Sequence, residues 1–321
     1  MTLPRSSPRR TAVAGLVLAF AASLAGPTAA ASFSEVPLPP GSAPAGLCLG
    51  PDGDVWYTSQ RTGRVGRISA SGAVQEFAVA EGSEPLGIAA GPDGNVWFTL
   101  LSGNKIGRIT PKGELTEFPV PTPGSDPIGI CAGPDGNLWF TESLGNKVGR
   151  ITPRGEVTEF AIPTPGAEPA GIVAGPDGAL WIACRRSNRI VRITPKGEVK
   201  EFAVPTENAQ PESMAVGPDG AVWFTAPNAA KLGRVAADGT VTEAALPHAP
   251  AGLATAADGA VWVTFPMARK LGRLQADGKL SLVGVPGKSG PVSAIAGADG
   301  TIWFTVAAGD LLGRASGVAS R

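Results

Sequence analysis

The chain of 321 residues carries 44 Gly and 31 Pro, both well above ordinary usage, yet 43% of it is hydrophobic and only 17% charged. That balance excludes disorder, which needs low hydrophobicity and high net charge. Twenty-seven basic and 27 acidic residues cancel; because Arg5, Arg9 and Arg10 precede the first acid, the remainder is mildly acidic, a poor partner for nucleic acid.

From the N-terminus, Arg9-Arg10 lead into an apolar stretch from Val13 to Ala25, followed by Gly26-Pro27 and the small residues Thr28-Ala29-Ala30-Ala31-Ser32. A basic start, a short apolar centre and an Ala-rich end are the parts of a secretory signal. Residues 1–31 are therefore read as a signal peptide and residues 32–321 as a single domain. The apolar stretch falls short of the roughly 20 residues that cross a bilayer, so no membrane span is expected after its removal. The protein is expected to be exported to the periplasm or the medium, by the Sec route or, given Arg9-Arg10, the twin-arginine route.

The rest of the chain is periodic. Trp stands at 56, 97, 139, 181, 223, 262 and 303, at intervals of 41, 42, 42, 42, 39 and 41 residues. An Asp-Gly pair precedes each, and a basic strand-like segment such as Lys147-Val148-Gly149-Arg150-Ile151-Thr152 follows most. In the third copy, Ile128 to Ala132 is predicted as a strand and Gly133-Pro134-Asp135-Gly136 as a turn, with Pro pre-setting one turn position and Gly taking the positive φ. Leu138 to Thr141, Lys147 to Thr152 and Val157 to Ile162 supply three further strands. No later stretch carries a capped 3.6-residue period, so helix should be scarce. Four-strand units at this period predict an all-β, seven-bladed β-propeller. The last copy stops after Gly313-Arg314 without a fourth strand, while Phe33-Ser34-Glu35-Val36-Pro37 matches the missing pattern. The N-terminal segment should therefore pair with the C-terminal blade and close the ring.

The unit Gly-Pro-Asp-Gly-Asn-Leu-Trp-Phe-Thr-Glu, then Asn-Lys-Val-Gly-Arg-Ile-Thr (133–152), with Pro-x-Gly-Ile before it, resembles the virginiamycin B (streptogramin B) lyase family from about Phe33 to Arg314. The resemblance implies a propeller whose relatives open streptogramin B depsipeptides by Mg²⁺-assisted elimination at an ester bond. It also implies reactive groups on one face, and at those places this sequence departs. The expected aromatic hydroxyl falls on Ala45, the expected His on Ala251, the acid and His flanking Pro291 on Gly290 and Val292, and a further acid on Ala307. No catalytic residue and no metal ligand is therefore assigned, and Mg²⁺ is expected only if lyase activity persists.

Polar residues predicted for that face include Gln60, Arg61, Glu84, Asp126, Glu168, Gln210 and Arg269. The candidate binding residues among them are Glu142, Arg185, Arg186, Glu212 and His248. Cys184-Arg185-Arg186 is the sharpest departure from the repeat; either Arg could fork onto a carboxylate ligand, or the set could be ion pairs between blades. The recurring Arg67, Arg108, Arg150, Arg192, Arg234, Arg273 and Arg314 argue for a repeated structural pairing, as do Glu76, Glu117, Glu159, Glu201 and Glu243. Cys48, Cys131 and Cys184 are expected as reduced thiols. A Cys184 nucleophile would need a base, and His248 is the single His of the chain. The expectation is a monomeric binder of a small-molecule or protein ligand at the channel mouth. The alternatives are a lyase of the family's type, or a lactonase-like hydrolase with a metal held by Glu142, Glu212 or Asp126.

Overall fold

A computed structural model describes residues 32–316 except 276 and 298; the signal peptide expected over 1–31 lies outside the described residues. The described chain forms seven sheets, each of four antiparallel strands, joined head to tail in a ring. This is the seven-bladed propeller that the repeat predicts. Among the described residues helix is confined to two single 3₁₀ turns, Pro227–Ala229 and Ala307–Gly309.

In the third blade the strands are Pro127–Ala132, Leu138–Glu142, Lys147–Ile151 and Val157–Ala161, within a residue of the predicted limits. The first strand of each blade touches the first strand of the next, so these seven strands ring the axis. The Trp of the second strand faces the following blade: Trp139 packs with Leu180, Ile182 and Val191. Leu138 and Phe140 face the preceding one, alongside Trp97 and Ile106. Alternation along a single strand thus supplies core to two interfaces at once.

A buried Thr stitches neighbouring blades near the axis. The Thr141 hydroxyl accepts from Gly129 N in its own blade (2.9 Å) and donates to Ala170 O in the next (2.7 Å). Thr58, Thr99, Thr225, Thr264 and Thr305 repeat the bridge. The approach is so close that a Cβ on Gly129 would lie 2.4 Å from Ala170 O, which explains the Pro-x-Gly that opens the strand.

The recurrent Arg and Glu have separate partners. In six blades the Arg meets the Asp of its own blade's turn, as in Arg192–Asp177 (2.6 Å) and Arg273–Asp258 (2.6 Å), and that Asp also accepts the indole N–H where Trp139 meets Asp135 (3.0 Å). The Glu instead ties an outer strand to the linker before it. Glu159 accepts from Thr122 N and Oγ1, both at 2.8 Å, and from Lys147 Nζ at 2.7 Å. Glu201 and Glu243 bind Thr164 and Thr206 in the same way.

Closure runs as the terminal patterns predict. Ser32–Pro37 pairs antiparallel with Leu311–Ser316, from Ser32↔Ser316 to Pro37↔Leu311, as the outermost strand of the last blade. Asp310 adds a clamp, accepting from Gly41 N (2.7 Å) and Ala43 N (2.9 Å). Deleting residues 33–39 should therefore leave an open sheet edge. A thermal melt is expected to show a midpoint lowered by roughly 10 °C, several kcal/mol at this chain length, with aggregation on heating; an unchanged midpoint would refute the closure.

Candidate functional site

The axial mouth on the face where the first strands begin is built from one residue per blade. After the Pro that opens each first strand or the linker into it stand Ala45, Leu86, Ile128, Ala170, Glu212, Ala251 and Val292. The Thr bridges fix all of these but Glu212 through their carbonyls, and the seven positions form a collar of six aliphatic groups and one acid. The residue before the Pro is wound to positive φ in five blades, at Ala43, Glu84, Asp126, Glu168 and Gln210 (45–54°). In the first four of these blades its carbonyl then accepts from the loop after the second strand, as in Arg185 N to Glu168 O (3.0 Å).

The collar's single acid is paired. Arg185 donates to Glu212 Oε1 at 2.9 Å, across the seam between the fourth and fifth blades, with 33% and 42% of the two side chains exposed. At this seam the stitching Thr is replaced by Ala183, and Gly171 N reaches Glu212 O directly at 3.0 Å. Arg186 turns the other way, to Glu168 Oε1 (3.5 Å), with 74% of its side chain exposed. The structure therefore brings Arg185 and Glu212 together and leaves Arg186 at the surface.

His248 and Glu142 belong elsewhere. His248 follows Pro247 in the linker leaving the fifth blade, the place that Thr122 holds in the linker before the third blade. Like Thr122 it meets the first Lys of the next blade's third strand: Nε2 is 3.3 Å from Lys270 Nζ, with the ring edge-on to Phe265. An ammonium only donates, so Nε2 accepts. The acid of this tie is absent, because Leu282 stands where the third blade has Glu159. His248 thus replaces a structural Thr near the outer strands, away from the axial collar.

Glu142 ends the second strand of the third blade on the side facing the second blade, fully buried beside Ser125 and Gly145. Neither carboxylate oxygen has a hydrogen-bond partner. Burial, reinforced by the nearby Glu159 and opposed by Lys147, pushes its pKa from 4.5 up to about 7. The Arg185–Glu212 pair spans a different seam, between the fourth and fifth blades.

The remaining candidates for chemistry are muted by burial. None of the three cysteines is in a disulfide; burial pushes the Cys131 thiol up to about 12 and holds Cys48 and Cys184 higher still. Cys184 lies in the core between the third and fourth blades, away from His248. Among the described residues, no three of His, Cys, Asp and Glu converge to hold a metal ion.

A steric constraint at Gly290 has no signature in the sequence. A Cβ there would lie 1.9 Å from Pro266 O and 2.6 Å from Pro266 C. That spacing is far inside contact, and the obstacle is backbone. The loop after the sixth blade's second strand thus fills the space that a side chain at 290 would need.

Fold and collar define a seven-bladed propeller with a largely aliphatic axial mouth, in the architecture of the streptogramin lyases. The chain belongs to the virginiamycin B lyase family, which it matches over residues 22–173 and 133–319. A virginiamycin B lyase from Staphylococcus aureus is 34% identical, with a TM-score of 0.85 over 89% of this chain and 99% of that one. A streptogramin B lyase is 32% identical, with a TM-score of 0.86 over 89% and 97%. A catalytically inactive His-to-Ala variant of the Staphylococcus aureus enzyme, solved with quinupristin, matches at 34% identity and a TM-score of 0.85 over 89% and 99%. Comparison with curated proteins found no match.

Burial at Glu142 and exposure at Arg185 give opposite expectations for stability. A buried acid with a raised pKa stays protonated in the folded state while the unfolded chain loses its proton at 4.5, so stability falls as pH rises from about 4.5 to 7 and levels off above. Glu142→Gln should remove this slope, with an advantage over wild type that grows through that window to at most about 3 kcal/mol, read from denaturant melts at pH 4.5, 6 and 8. Arg185→Ala, which breaks a half-exposed pair, should cost less than about 1 kcal/mol in the same assay.

Proposed function

We propose that this protein is an exported streptogramin-lyase-like propeller that binds a small-molecule or protein ligand at its axial collar and lacks the family's elimination chemistry. The observation that carries this reading is the chemistry of the collar and its surroundings. Ala45, Ala251, Val292 and Ala307 offer methyl and isopropyl groups where the family resemblance places an aromatic hydroxyl, two His and an acid, and Gly290 has no room for a second acid beneath Pro266 O at 1.9 Å. The elimination needs a base for the proton beside the ester and a cation for the developing charge. The chain's one imidazole, His248, is committed to Lys270.

Mg²⁺ does not fit these residues. It is a hard ion that wants carboxylate and water oxygens in near-octahedral array. The collar's one carboxylate, Glu212, already neutralises Arg185 at 2.9 Å, and Glu142 is enclosed behind the third blade. The quinupristin-bound relative points the same way: with a single His replaced by Ala, that enzyme is catalytically inactive. For this chain we take the retained parts, an apolar collar with one Arg–Glu pair, as a recognition surface for a mainly apolar ligand carrying a hydrogen-bonding group. The side chains that would drive opening are the parts it lacks.

The experiment is a Mg²⁺-dependent ring-opening assay on a streptogramin B antibiotic, followed by mass and absorbance. General acid–base catalysis alone contributes about 10²–10⁴, so with base and metal groups both missing the rate should fall by 10⁴-fold or more below an active lyase. Robust opening that persists in His248→Ala would overturn the proposal.

A further inference from the structure

The seam between the seventh and first blades lacks a part that the next four seams possess. In blades one to four the Trp of the second strand is stacked by a Phe of the fourth: Trp56–Phe77, Trp97–Phe118, Trp139–Phe160 and Trp181–Phe202, with centroids 5.3–6.0 Å apart and planes 15–22° from parallel. The Gly of the following blade's outer hairpin rests on that Phe. A Cβ on Gly113, Gly155, Gly197 or Gly239 would lie 2.2–2.8 Å from the ring. In the seventh blade the fourth strand is the N-terminal segment, and Val36 pairs with Leu312 where Phe160 pairs with Val148. The matching hairpin Gly of the first blade, Gly72, has nothing within 4 Å of a Cβ.

The missing ring leaves a visible space. Six of the seven tryptophans are buried, and Trp303 is the one left half-open. A groove of about 550 Å³ opens over it, floored by Val36, Leu49 and Ile68 and edged by Ser69 and Arg314. Trp223 and Trp262 also lack the Phe, with Ala244 and Val283 in its place, yet next-blade residues such as Leu274 and Leu280, or Ile302 and Ala315, keep them buried. At Trp303 the counterparts Val55 and Ile68 pack against the ring yet leave it half-open. The Arg314 guanidinium stands 5.6 Å from its ring centroid and is held by Asp299 at 2.7 Å, so the cation–π edge of the motif is intact and only the stacked ring is gone.

We propose that this groove is a binding site for a small planar aromatic molecule, which stacks on Trp303 in the place that Phe holds in blades one to four. The slot lies between Trp303 and the first blade's hairpin, where a Cβ on Gly72 would meet nothing within 4 Å. Its floor is aliphatic, and its rim offers the Ser69 hydroxyl to a polar substituent. Phenols and similar monocyclic aromatics are the class it fits. The site is on the turn face of the ring, away from the axial collar, and does not depend on what the collar binds.

The probe is p-cresol, titrated into the full-length protein by ligand-observed NMR, with cyclohexanol as a non-planar control of similar size. Saturable p-cresol binding is expected, with cyclohexanol about 2- to 10-fold weaker, the worth of an aromatic pair beyond its buried area. Val36→Phe supplies the missing ring from within: it should raise the melting midpoint by about 1–4 °C, as cavity filling does, and abolish p-cresol binding. Absence of saturable binding to wild type, equal affinity for cyclohexanol, or undiminished binding to a folded Val36→Phe variant would each overturn the proposal. So would a concentration-dependent dimer, seen by sedimentation and removed by Val36→Phe, because a second copy would then fill the groove. If Val36→Phe fails to fold, the comparison of the two probes on wild type decides alone.

Discussion

The structure hangs on a hydroxyl near the axis. Each bridging Thr is fully buried, accepts an N–H from its own first strand and donates to a carbonyl of the next, so one side chain satisfies two backbone groups that belong to different blades. A seven-fold ring has no central core of its own, and its blades must be held at a fixed separation where the strands converge. The hydroxyl sets that separation. It requires a residue without a Cβ, or a small one, on the strand beside it, which is why Gly or Ser recurs there. It also fixes the carbonyl whose own side chain forms the collar. Geometry at the mouth is therefore inherited from a polar contact between blades.

Much of this was legible because it repeats. The Trp spacing, the Asp-Gly turns and the orphan Phe33–Pro37 segment are enough to number the blades and to close them, since a pattern copied seven times averages out local ambiguity. The paired roles of the recurrent Arg and Glu were legible as pairing, though not by partner. What stayed hidden were residues that occur once. His248 stands three residues before the collar position in sequence, yet the linker crosses from an outer to an inner strand there, so three residues span much of the blade's radius. Glu142 looks like a mouth residue when the copies are aligned, but strand alternation aims it into the seam behind it. The Pro266–Gly290 contact joins two loops from different blades and has no signature in either.

Departures from the repeat run from the fourth blade round to the last, His248, Leu282, Ala244 and Val283 among them. One group gathers at the fourth and fifth blades, where Ala183, Arg185 and Glu212 replace a neutral stitch with an ion pair. A second gathers around the last blade, where Gly290 and Val292 reshape the collar, Leu311 replaces the Lys of the outer tie, and Val36 replaces a stacking Phe. A repeat under structural selection alone has no reason to relax on one side. The collar and the last blade's outer seam are two regions where the uniform solution has been given up, and at the outer seam Trp303 faces a groove of about 550 Å³.

The pairing of Ser32 with Ser316 spans 284 residues of chain. Six blades are local, each closing hairpins within about forty residues, and these can form in any order as soon as their own segment is available. The seventh cannot, because its outer strand is the first part of the domain to be synthesised and its other strands are the last. Until then the early segment must wait unpaired, a strand with a free edge and no sheet. Loop closure over such a distance adds little to the equilibrium cost but sets the slowest step. The ring therefore has a built-in order of assembly: it behaves as an open, six-bladed arc for most of its formation and acquires its collar, its closing seam and its resistance to edge pairing in one final event.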